Sequence, residues 1–214
     1  ISETAGACWL GDDHVVWLEP DDALRPWRAW RHLVGADPDA DSVLVSEPDE
    51  RFWLGAGTSR DRNWLILSSV GKTTTQQWLL PLADPAGTPW IVCPRREGLD
   101  YDVEPAGDRL FVLHNANVAD FEIAQAPLTP AEPTAWHTVV KGVPGQRILG
   151  VDAYAGWVVV HRRIDGVPRG LIYPRTATGD LGEPAPIGPT DDRVVVTPDD
   201  ADAYDTDRIR IVTE

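Results

Sequence analysis

Short runs of Val, Ile, Leu and Trp recur along the whole chain, separated by clusters of Asp, Gly and Pro, the pattern of β-strands joined by tight turns. Nineteen Pro and 18 Gly leave hardly a window in which a 3.6-residue period could run, so the pattern predicts an all-β protein with little helix. The runs also repeat. HVVWLEP from His14, NWLILSS from Asn63, RLFVLHN from Arg109, GWVVVHR from Gly156 and RIRIVTE from Arg208 start 49, 46, 47 and 52 residues apart. Another strand-like run precedes each of them: ACWLG, RFWLG, YDVEP, GVDAY and RVVVT. The first four are followed by two more, such as WRAWRHLV and DSVLVSE, or QQWLLPL and PWIVCP; EPAPIG, closing the fourth unit, is the weakest.

Four short antiparallel strands per unit at this spacing predict the blades of a β-propeller. The units fall at residues 7–49, 51–96, 99–145 and 148–189, with a partial one at 193–214, so residues 1–214 read as one partial propeller domain of about four and a half blades. A blade buries its faces only against its neighbours, and the ten Trp residues, spread over all four strand positions, are expected to supply that burial. A β-sandwich of short strands is the alternative, but it does not explain the period. Because the fifth unit stops after its second strand, the ring is expected to continue beyond Glu214, leaving strand edges able to pair between chains.

Composition narrows the function. Thirty-four acidic against 19 basic side chains give a formal charge of -15, which repels nucleic acid and draws cationic ligands. No apolar run reaches the roughly 20 residues of a membrane-spanning helix, and no leader opens the chain; neither nucleic acid nor membrane is an expected partner. The chain begins at Ile1 and contains no Met, which reads as a piece of something longer. Cys8 and Cys93 read as reduced core residues of a cytoplasmic protein, with one disulfide between them as the alternative.

Candidate chemistry is sparse. Gly71-Lys72-Thr73 looks like the tail of a phosphate loop, but Ile66 stands where the loop needs Gly and the segment joins two strands, so it reads as a solvated hairpin turn. The carboxylates of Asp199 to Asp207 lack the central Gly and terminal Glu of an EF-hand and read as an acidic hairpin. His14, His32, His114, His137 and His161 are not paired at ligand spacing, and no G-x-S-x-G elbow occurs. No catalytic residue, metal site or cofactor is therefore predicted. Charged loops remain. Links between second and third strands and between units leave on one face, gathering Glu19, Asp21, Asp22 and Arg25; Glu47, Asp49, Glu50 and Arg51; Arg95, Arg96, Glu97 and Asp100; and Arg162, Arg163, Asp165 and Arg169. Such a rim suits docking by ion pairs, although an ordinary solvated surface has the same composition.

One resemblance places these features. PRREGLDYDV from Pro94, a strand, an Asn-containing turn and FEIAQAPL from Phe121 resemble the propeller domain of the oligopeptidase B (protease II) branch of the prolyl oligopeptidase family of serine peptidases. WRAWRHLVG, and the strand pair carrying Glu47, Asp49, Phe52 and Ser59, are similar to the same family. The likeness is strongest from Trp27 to Leu128 and fades after Arg169; His114 before Asn115, and Ala119-Asp120 before Phe121, depart from the usual pattern. The resemblance implies a seven-bladed propeller capping an α/β-hydrolase domain, with the Ser, Asp and His of the triad C-terminal to the propeller and absent from this chain. It implies a gating segment of a cytoplasmic oligopeptidase that hydrolyses short cationic peptides after Arg or Lys. The partners would be the hydrolase domain of the same parent chain and those peptides. Arg95, Arg96, Glu47 and Asp49 would be the interdomain or substrate contacts. A non-catalytic scaffold for a protein partner, or a peptidase with Pro specificity, are the alternatives.

Overall fold

A computed structural model describes residues 3–129, 132–188, 196–199 and 203–213. The chain divides into two compact units, Ile1–Asp100 and Tyr101–Glu214. The first holds two sheets. Strands β1 (Gly6–Leu10), β2 (His14–Pro20), β3 (Pro26–Leu33) and β4 (Ser42–Ser46) pair in that order, as do β5 (Trp53–Thr58), β6 (Trp64–Val70), β7 (Thr75–Pro81) and β8 (Trp90–Ile91). The second unit repeats the plan with β9 (Tyr101–Ala106), β10 (Arg109–His114), β11 (Glu122–Pro127) and β12 (His137–Val140), and with β13 (Gln146–Ala153), β14 (Trp157–Ile164), β15 (Val167–Pro174) and β16 (Ala185–Pro186). It also holds an antiparallel pair, β17 (Val196–Asp199) with β18 (Arg210–Thr213). Helix among the described residues amounts to two three-residue 3-10 turns, Pro38–Ala40 and Pro133–Ala135. None is long and apolar enough to cross a membrane.

Every described pairing of named strands is antiparallel between sequence neighbours, so each sheet is a meander and short turns suffice. Alternation sets which face is buried. In β6 the positions of Leu65, Leu67 and Ser69 turn inward while Trp64, Ile66 and Ser68 are less buried. Leu65 and Leu67 join Leu54, Trp78 and Leu80 against Leu10, Val16, Leu18, Ala29 and Val45 of the first sheet. A matching layer in the second unit packs Phe111, Leu113, Ile123 and Val140 against Ile148, Ala153, Val158, Val160 and Tyr173. Gly11 closes the β1–β2 turn with φ +65, and a Cβ there would lie 2.9 Å from the Leu82 carbonyl oxygen. Only glycine meets both demands.

The tryptophans do not follow the sequence expectation. Trp78 and Trp136 are buried, whereas Trp9 and Trp53 are 59% and 54% exposed. Both stand on first strands whose register turns them away from the core layer, Trp9 between Cys8 and Leu10. Trp136 also lies just before β12, as the residue that caps the 3-10 turn, and not on the strand itself. The fourth strands β8 and β16 shrink to two residues, because Pro89 or the Pro residues at 184 and 186 withdraw backbone donors. Cys8 and Cys93 are both free thiols; Cys93 is buried, but Cys8 is only half-buried rather than in the core. Residues 193–195 of the fifth unit, and 200–202 of the acidic hairpin, lie outside the described residues.

Candidate functional site

Successive strands reverse direction, so the β4–β5 link, the β6–β7 turn and the chain after β8 leave the first unit's sheets at one end. The β4–β5 link is fixed from below by Arg25, in the turn between β2 and β3. Arg25 is 6% exposed. Its Nη1 donates to the carbonyl oxygens of Glu47 at 3.1 Å, Asp49 at 3.3 Å and Phe52 at 2.8 Å. Its Nε donates to Asp21 Oδ2 at 2.8 Å, and Asp21 Oδ1 accepts from the amides of Ala23 and Arg25. Desolvation opposes the charge on Asp21, but the Arg25 hydrogen bonds outweigh it and hold the carboxyl below its ordinary value. Arg25 is thus a buried clamp and not a member of a solvated rim.

Above the clamp lies a buried polar knot. Glu47, 4% exposed, accepts from Ser69 Oγ at 2.5 Å and from Arg95 Nη2, while its Oε1 accepts from the Asp49 amide at 3.2 Å. Arg95 Nη2 also donates to Ser69 Oγ at 2.7 Å, and the Arg95 amide donates to Gln76 Oε1 at 3.0 Å. Burial works to raise the Glu47 pKa, yet the Arg95 and Ser69 hydrogen bonds prevail and it lies below its ordinary value. Ser69 is fully buried and its hydroxyl donates to a Glu47 carboxylate that Arg95 already neutralises, so the knot holds charge and offers no accessible nucleophile.

The Arg95 guanidinium lies 3.8 Å from the centre of the buried Phe52 ring, a cation–π contact. Arg51 approaches the same ring at 5.7 Å and is bound to Asp49 through Nε at 3.0 Å and Nη2 at 2.7 Å. Those side-chain hydrogen bonds lower the Asp49 pKa to about 2 and raise that of Arg51. On this floor opens a pocket of about 410 Å³ walled by Arg51, Phe52, Lys72, Thr74, Arg95 and Glu97. The β6–β7 turn at its edge is closed by the Gly71 amide to the Thr74 carbonyl at 2.9 Å. It is stitched to the following loop by the Gly98 amide donating to Thr74 Oγ1 at 2.9 Å and by Thr75 Oγ1 donating to Asp100 at 2.7 Å. Gly71 is obligatory for this packing, since a Cβ would stand 2.8 Å from the Phe52 ring.

Of the residues singled out from sequence, Glu47, Asp49 and Arg95 come together here. Arg96 is exposed on the adjoining turn, where its carbonyl accepts from the Leu99 amide at 3.0 Å, and it does not line the pocket. Ser69 and the pocket role of Lys72 were not anticipated. Ser69 had a signal: it is a polar residue at an inward position of an alternating strand. Among the described residues no three His, Cys, Asp or Glu side chains group as a metal site.

The family model described as the prolyl oligopeptidase N-terminal β-propeller domain matches residues 2–184. The chain belongs to that family. Its four-stranded sheets are the blades of such a propeller. The chain is 31% identical over 121 residues to Protease 2 of Moraxella lacunata, covering 56% of this chain and 17% of that protein. It is 25% identical over 162 residues to dipeptidyl aminopeptidase BI of Pseudoxanthomonas mexicana, covering 74% and 22%. Oligopeptidase B from Trypanosoma brucei, solved with covalently bound antipain, superposes with a TM-score of 0.91 at 22% identity over 100% of this chain and 31% of that one. Oligopeptidase B from Leishmania major gives 0.89 at 24% identity, over 98% and 31%. The chain thus spans about a fifth of those curated relatives and under a third of those solved structures.

Proposed function

We propose that this chain is part of the substrate-admitting propeller of a serine oligopeptidase that hydrolyses short peptides after Arg or Lys. The observation that carries this reading is the family match over residues 2–184, and the likeness to Protease 2 supports its oligopeptidase B branch. In such an enzyme the propeller excludes folded proteins and admits peptides, while an α/β-hydrolase domain of the same parent chain carries out acyl transfer by a Ser-His-Asp triad. The charge of -15 fits a cavity that attracts cationic peptides. Two free thiols fit a cytoplasmic setting. In this role Glu47 and Arg95 hold three loops at one end of the blades, Asp49 neutralises Arg51, and the exposed Arg96 is a contact for the hydrolase domain or a peptide.

The test uses the full-length protein. Short peptides with a single internal Arg or Lys should be cleaved after that residue, Pro-containing analogues should be spared, and a folded protein carrying the same sequence should resist. Cleavage only after Pro, or no hydrolysis in a protein that lacks a hydrolase domain, would replace this reading by the Pro-specific or scaffold alternative. A second reading, release of N-terminal dipeptides, is favoured by the longer alignment with dipeptidyl aminopeptidase BI. Blocking the peptide's amino terminus abolishes cleavage under that reading and leaves it intact under the first.

A further inference from the structure

The pocket over Phe52 has more donors than its own carboxylates use. Arg51 spends Nε and Nη2 on Asp49, and Arg95 spends Nη2 on Glu47 and Ser69. Nη1 of both makes no hydrogen bond among the described residues, and neither does Lys72 Nζ, although Lys72 stands at the pocket wall. The two guanidiniums are held in place by Phe52 beneath them and by Asp49 and Glu47 beside them, so ordering these donors costs an incoming ligand little. The single carboxylate on the wall, Glu97, also interacts favourably with Arg51. It is the built-in competitor for the cations.

From this surplus we propose that the pocket binds a carboxylate, that of the C-terminal residue of a peptide, with Lys72 and the unused Nη1 groups of Arg51 and Arg95 as donors. This rests on the peptide-handling role proposed above. The space of about 410 Å³ is in the range of small-ligand sites and admits a terminal residue but not a folded chain. Charged N–H donors of this kind form strong hydrogen bonds to a carboxylate. Glu97 competes for these cations and weakens binding of any anion, the peptide carboxylate included.

The probe is acetyl-trialanine, as the free acid and as the carboxamide, titrated calorimetrically into the full-length protein. It carries no Arg, Lys or free amine, so binding can be read whatever peptide the enzyme cleaves. The free acid should bind about tenfold more tightly than the amide, the size of one charge-assisted hydrogen bond. Lys72→Gln, at an exposed turn position, should erase most of that difference, and Glu97→Gln should strengthen free-acid binding severalfold. A merely structural role for these two residues would not move the affinity in opposite directions. Equal binding of acid and amide overturns the proposal, as does an unchanged ratio in Lys72→Gln. Inorganic phosphate is the second arm: saturable phosphate binding with no binding of the free acid would make this an inorganic-anion site and overturn the peptide assignment. Hydrolysis of Arg peptides with no free-acid binding would sink the pocket assignment alone, and the converse result would sink the peptidase reading alone.

Discussion

Glu47 is the acceptor at the centre of the first unit's buried polar knot. It is buried, and its carboxylate answers Arg95, Ser69 and the Asp49 amide at once. Replacing it by Ala strands a guanidinium and a hydroxyl, and should cost about 3 kcal/mol in a urea melt. The carboxyl also links stability to pH. Its folded-state pKa lies below the ordinary value of 4.5, so its contribution is complete above that value and is lost as the pH falls through the folded-state pKa. Glu47→Gln should therefore flatten the acid limb of the stability profile, with melts at successive pH values as the check. The tryptophans divide just as sharply. Trp136, buried against Tyr101 and His114, should cost about 3–5 kcal/mol on truncation to Ala, whereas Trp9→Ser at an outward position should change stability by no more than about 0.5 kcal/mol. Equal losses would mean that burial has been assigned to the wrong faces.

At the level of strands and turns, the antiparallel meanders were legible because alternation and turn residues are local signals. Four of the five second strands begin where the quoted apolar runs begin, give or take one residue, as β2, β6, β10 and β14. The fourth strands β8 and β16 fall inside PWIVCP and EPAPIG as the pattern predicts, but their shortening to two residues was not legible, since a Pro removes ladder donors without altering the apolar pattern. Tryptophan misled as a marker of burial because residue type does not reveal which face of a strand it occupies. The site was partly legible. Glu47 and Arg95 are 48 residues apart, so only the repeat, which returns one blade's end beside the next, could suggest their meeting. Lys72 read correctly as a hairpin residue, yet the pocket beside that hairpin depends on the Phe52 ring lying under Gly71, a contact with no local sequence signal. Gly71→Ala tests it: the added methyl should displace the ring and the guanidinium stacked on it, at about 1–3 kcal/mol. A melt within error of the parent would show that the turn yields instead.

For the molecule as a whole the governing quantity is charge. A protein at -15 attracts cations over roughly one Debye length, about 10 Å at 0.1 M salt. If the peptidase reading holds, KM of the full-length enzyme for an Arg peptide should climb as salt is added, while KM for an uncharged peptide should stay nearly level; parallel slopes would remove long-range attraction from the account. The grip of Arg25 has another outcome at this scale. All three of its acceptors on the β4–β5 link are main-chain oxygens, so the clamp does not depend on which side chains the link displays at positions 48, 50 and 51. Those outward letters can be rewritten by drift or by an engineer, giving related propellers different appetites at the rim while the path of the chain beneath stays the same.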